Sequence, residues 1–266
     1  MQLAPKLLRS ANWRLTILKP SQIRQDKLAV EVLHAWLFVG HHQSTRHSVR
    51  NIIFAVWLIA MWRVVPEWYL KWVIPEGYGI LEFSQFIILL VALAIAVRLL
   101  FKPFVRKRPF VFAVTIIAVL GCIYTAGEEM SWGQHFFHWK TPEYWAMVNR
   151  QQETNLHNAY PAFEQWPRAI VALGVVIGGI LVPLAAAFFP RVRSNRLSLF
   201  LPASALLPTA VISMGFKVEL IHRPSEAVEL YLYFFILGYL IIFTRRIREL
   251  EIVSGTRAEC KARRPA

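Results

Sequence analysis

"PFVFAVTIIAVLGCIYTAGEE", residues 109–129, decides the fold of this chain. It carries no charge until its last two residues, Glu128 and Glu129, and it begins on a proline. Proline suits the first helical position, where its missing N–H is not needed. From Phe110 to Glu129 there are 20 residues, and a helix of that length extends about 30 Å. That is the thickness of the bilayer hydrocarbon. The stretch therefore reads as a transmembrane helix that leaves the hydrocarbon at two adjacent carboxylates.

The same test gives six candidate spans: 51–72, interrupted by Arg63 and Pro66; 77–100; 109–129; 169–189; 197–216, with Pro202 and Pro208; and 226–244. A seventh apolar run, 28–40, is only 13 residues long, carries Glu31 and His34, and reads as interfacial. Composition agrees: 56% of the residues are hydrophobic and 17% charged, where soluble domains carry roughly a quarter charged. The net charge of +14 does not indicate nucleic acid, because the basic residues sit between apolar runs instead of forming one patch. Of the 30 Lys and Arg, 23 lie in 1–50, 98–108, 191–196 and 245–266, all on one side of a six-span chain; seven lie on the other. Basic loops stay cytoplasmic. The expectation is an all-α polytopic bundle of about six transmembrane helices in a bacterial inner membrane, with both termini cytoplasmic. It has a basic, interfacial segment over 1–50, a transmembrane domain over 51–244, an extracytoplasmic loop over 130–168 and a basic tail over 245–266. Cys122, in an apolar run, and Cys260, in the tail, make no disulfide framework.

On this topology the polar residues gather at the outer face. Glu82 and Gln85 open the second span, Glu128 and Glu129 close the third, and Glu226 and Glu229 open the sixth, three apart on one helical face. The large loop adds Gln134, His135, His138, Glu153, Asn155, His157 and Asn158, and the loop before the last span adds Glu219 and His222. A carboxylate and a histidine three or four residues apart, with lone Glu from other helices, is how helical bundles ligate metals. The candidate metal set is Glu128, Glu129, Glu153, His157, Glu226 and Glu229, for zinc, iron or manganese. The candidate catalytic set is Glu128, Glu129, His157 and Glu229, with Glu82, Gln85, Gln134 and Asn158 binding substrate. A Ser131–His135–Glu128 arrangement on one helical stripe is a further candidate, without a nucleophile elbow to support it.

At "GEEMSWGQ", "ETNLHN" and "EAVELY" the chain resembles a family of bacterial polytopic membrane proteins. They share Gly-Glu-Glu, Ser-Trp-Gly-Gln and Leu-His-Asn motifs and acids at the start of the last helix. The likeness covers roughly residues 76–240 and implies the site, not a reaction. Three functions compete. The first is a membrane enzyme, metal-dependent in one form, acting on a lipid or lipid-linked substrate at headgroup depth. The second is a binding or assembly protein docking an extracytoplasmic partner. The third is a transporter or proton pathway, which needs polar residues across the whole membrane.

Overall fold

The computed structural model of the protein describes Val56 and residues 67–73, 75, 79–189, 199–215 and 224–262. Segment 1–50, run 28–40, most of span 51–72, loop 190–198 and the Glu219–His222 pair lie outside the described residues. Those described form helices and no strand. In chain order they are α1 (Glu67–Trp72), α2 (Ile80–Leu100), α3 (Pro103–Arg106), α4 (Pro109–Glu129), α5 (Gln134–Phe137) and α6 (Glu143–Val148). Then comes α7, α-helical over Pro161–Gly174, π-helical over Val175–Leu181 and α-helical again over Val182–Phe188, followed by α8 (Leu207–Gly215) and α9 (Pro224–Ala262).

Among the described residues, four stretches are long and apolar enough to cross a membrane: Ile80–Leu100, Pro109–Glu129, Gln165–Ala186 and Val228–Ser254. The expected fifth span is helical in the described residues only over Ser204–Gly215, too short to cross. Its prolines explain the shortfall: Pro202 offers no N–H and disfavours helix at the residue before it, and Pro208 fits only the start of α8. The non-helical stretch ahead of α8 is secured by Arg246, which is buried in α9. Arg246 Nη1 donates to the carbonyls of Leu199 at 3.2 Å and Leu201 at 2.5 Å. Irregular backbone at membrane depth survives only where protein satisfies it.

α2 packs on α4 and on α9, and α8 packs on α9 and on the π-helical turn of α7. Pro183 has no N–H for the Gly179 carbonyl, and the turns before it widen into π-helix. Gly179 is the contact point: a Cβ there would stand 2.7 Å from the Phe235 ring and 2.8 Å from the Ala210 Cβ. One apolar cluster, with Leu89, Val175, Ala210, Tyr231 and Phe235, fills the bundle towards the α4 C-terminus. A second, with Leu99, Val105, Val111, Phe243 and Ile247, fills the basic end. There Glu251 accepts the backbone N–H of Phe104 at 3.1 Å and pairs with Lys102 at 3.6 Å, tying α9 to the α2–α4 corner.

Candidate functional site

The C-terminus of α4 makes the site. The helix stops because Ser131, Trp132 and Gly133 take φ of 46°, 54° and 106° in succession. This left-handed turn throws the Trp132 ring back over Gly127, where a Cβ would stand 2.8 Å from the indole. The indole Nε1–H then donates to Glu128 Oε1 at 2.6 Å. Oε2 of Glu128 accepts the backbone N–H groups of Leu156 and His157, each at 2.8 Å, with His157 Nδ1 at 3.1 Å. Left-handed geometry costs roughly 1–2 kcal/mol for each non-glycine residue. Hydrogen bonds to a charged acceptor contribute roughly 1.5–3 kcal/mol each, so the Glu128 contacts outweigh the strain.

A second knot lies beside the first. Ser131 Oγ donates to Glu153 Oε2 at 2.7 Å, and Asn155 Nδ2 donates to Ser131 Oγ at 2.9 Å and to Glu153 Oε2 at 2.8 Å. His135 Nε2 stands 3.0 Å from Glu153 Oε1 and 3.2 Å from Ser131 Oγ. Glu153 raises the pKa of His135 by this hydrogen bond, against the effect of burial. Burial by itself would raise Glu153, but donors from His135, Ser131 and Asn155 outweigh it and hold the carboxyl below its ordinary range. Ser131 is not placed as a nucleophile. It is wholly buried, its proton goes to a carboxylate, and Glu153, not Glu128, is its acid. A triad also needs the acid on the imidazole nitrogen away from the serine. Here Nε2 faces both, and Nδ1 is buried without a hydrogen-bond partner among the described residues.

Gln134 completes the loop: its Oε1 accepts Thr154 N at 2.7 Å and its Nε2 donates to Thr141 Oγ1 at 2.7 Å. Thus Glu128, Ser131, Gln134, Glu153 and the backbone of Leu156–His157 fasten residues 131–158 over the end of α4. They roof a cavity of about 390 Å³. Its polar wall includes Glu82 of α2, Glu128 and Glu129 of α4, His135, Glu153, His157 and Asn158 of the loop, and Glu229 of α9. Tyr233 donates to Glu129 Oε1 at 2.5 Å, and Arg168 of α7 pairs with Glu229. Its floor is apolar, with Val171, Leu232 and Ile236.

Most of the residues singled out in the sequence therefore meet at one cavity. Gln85 does not line it; it is wholly buried within α2, one turn away from Glu82. Gln134 does not line it either and serves the loop. Asn158 lines it and donates to Gln151. Glu226 lies in the first turn of α9, and its side chain is outside the described residues. Among the described residues, no three of His, Cys, Asp and Glu are grouped to hold a metal ion. Glu128 Oε1 is taken by the Trp132 indole, and Oε2 by two backbone N–H groups and His157 Nδ1. Sequence reasoning missed Arg168, Tyr124 and Tyr233. Tyr233 could have been found, because it stands four residues after Glu229 and shares its helical face. Arg168 gave no such signal, since its partner is 61 residues away. In comparisons with protein families, curated proteins and solved structures, the chain matches none.

Proposed function

We propose that this chain is an integral membrane enzyme acting on a lipid or lipid-linked molecule at the extracytoplasmic face of a bacterial inner membrane. The observation that carries the reading is the division of one cavity into a carboxylate-lined wall and an apolar floor. That division fits an amphiphile, whose head lies among Glu129, Tyr233 and the Arg168–Glu229 pair. Orientation follows from the positive charges, which crowd the opposite end of the bundle at 98–108 and 245–248. The roof suits a membrane surface: Phe137, Trp139, Tyr144 and Met147 are exposed on it, and aromatic side chains favour the headgroup layer.

In this reading Glu129 is the general base. Its carboxylate takes a proton from a water or hydroxyl group as that oxygen attacks the headgroup linkage, and gives the proton to the departing oxygen as the old bond breaks. Arg168 holds an anionic part of the head, and Tyr233 orients Glu129. The test uses the full chain in nanodiscs made from a bacterial polar lipid extract. Wild type and Glu129→Gln are compared by lipid mass spectrometry after incubation. Lipid species consumed and formed by wild type alone support the enzyme. No change with either protein, or equal change with both, overturns it.

A further inference from the structure

The walls of the cavity are not equally closed. Its roof is fastened to α4 by the hydrogen bonds of Glu128 and is tied within itself by that of Ser131 to Glu153. α2 is packed against α4 on one side and α9 on the other. α4 and α7 both line the cavity, yet they barely approach one another. The hydrogen bond between them runs from Tyr124 OH to the Phe163 carbonyl at 3.5 Å, the long limit for such a bond. Opening the roof breaks a network; parting α4 from α7 at their outer ends breaks, among the described residues, the long Tyr124–Phe163 bond.

Among the described residues, the flanks of this gap are apolar. Beside it Ile123 of α4 and Trp166 and Ile170 of α7 are exposed, the last two by 68% and 65%, as on a lipid-facing surface. The cavity also reaches well into the spans. Val171 lies six residues beyond Gln165, and Ile236 eight beyond Val228, depths of about 9 Å and 12 Å along their helices. A water-soluble ligand entering past Arg150 and Gln151 would leave this apolar depth unused.

We infer that the cavity takes its ligand sideways from the outer leaflet, as a membrane-resident amphiphile whose chain lies between α4 and α7, with Tyr124 and Phe163 as the latch. This rests on the cavity being the lipid site proposed above. The route admits acyl- or prenyl-chain molecules and disfavours free headgroups, because only the former gain from filling the apolar floor.

The test places a photoreactive probe on the path. In a Cys122→Ala/Cys260→Ala background, Val171→Cys on α7 and, separately, Thr125→Cys on α4 are labelled with benzophenone maleimide. Each full-length protein is put in phosphatidylglycerol–phosphatidylethanolamine nanodiscs and irradiated. Ile170→Cys, on the outer surface of α7, is the control that must capture lipid. Phospholipid acyl adducts at both positions, at a yield within about twofold of the control, are expected. Adducts to another part of this chain, or none while Ile170→Cys reacts, overturn sideways entry. That failure is separable from failure of the enzyme reading. Wild type converting lipid while position 171 captures none sinks only the route, and capture at 171 without conversion sinks only the enzyme.

Discussion

Glu128 and Glu129 are neighbours in sequence and belong to different parts of the molecule. A helix turns about 100° per residue. Glu128 therefore faces the returning loop, where two backbone N–H groups, an indole and an imidazole meet its oxygens. Glu129 faces α9 and the cavity, where Tyr233 donates to it. The first builds the roof, and the second lines the cavity beneath it. A dense polar motif can thus be mostly architecture: "SWGQ" and "ETNLHN" supply a turn, a knot and the backbone that Glu128 binds. The residues that the proposed reading sets against a ligand are drawn from helices far apart in the chain.

The contrast makes opposite demands on two substitutions. Glu128→Ala strips four donors of a carboxylate in a site that is 4% exposed. Breaking buried charged contacts costs about 3–5 kcal/mol. A large fall in the melting temperature of the detergent-solubilised protein is expected, with the 131–158 amides losing protection from hydrogen exchange. Glu129→Gln keeps shape and volume, should change stability by less than about 1 kcal/mol, and should abolish lipid conversion. If Glu128→Ala were the stable, inactive variant and Glu129→Gln the unfolded one, the division would be reversed. A middle-sized effect belongs to Gly127→Ala. Its Cβ would stand 2.8 Å from the Trp132 ring, so the ring must shift and weaken its bond to Glu128. Overpacking of this kind costs about 1–3 kcal/mol. A Gly127→Ala/Trp132→Phe double variant removes the indole N–H already, so it should cost less than the sum of the two single changes.

How far this was legible from sequence depended on which force set each feature. Apolar length predicted 109–129 to the residue and 77–100 and 169–189 to within about four residues, because the bilayer sets the length of an apolar span; it placed the start of 226–244 within two residues but missed that the helix runs on to Ser254. It misjudged 197–216, because average hydropathy does not register that Pro202 and Pro208 remove the N–H groups a continuous helix needs. The direction of each span brought Glu82, Glu129, His157 and Glu229 to one end, where all four line the cavity, and helical phase put Ser131 on a stripe with Glu128. What phase could not supply was the left-handed turn at Ser131–Gly133. That turn separates Ser131 from Glu128 and hands it to Glu153, 22 residues on. Pairings across such distances, like Arg168 with Glu229, are set by tertiary packing and leave no periodic trace.

The smallest expected effect concerns the knot itself, through His135 and Glu153. The raised pKa of His135 means its folded-state charge contributes fully below the ordinary imidazole value of 6.5, and that contribution is lost as pH rises through the raised value. The lowered pKa of Glu153 means its contribution is present above the ordinary value of 4.5 and is lost as pH falls through the depressed one. Both charges therefore support the roof between about 4.5 and 6.5, with a decline on either side. Hydrogen exchange at the Glu153–Asn155 amides across that window measures it. His135→Gln should erase the alkaline decline and leave the acid one, because Ser131 and Asn155 still donate to Glu153. An alkaline decline that survives in His135→Gln would leave the second knot without a role in that limb of the pH response.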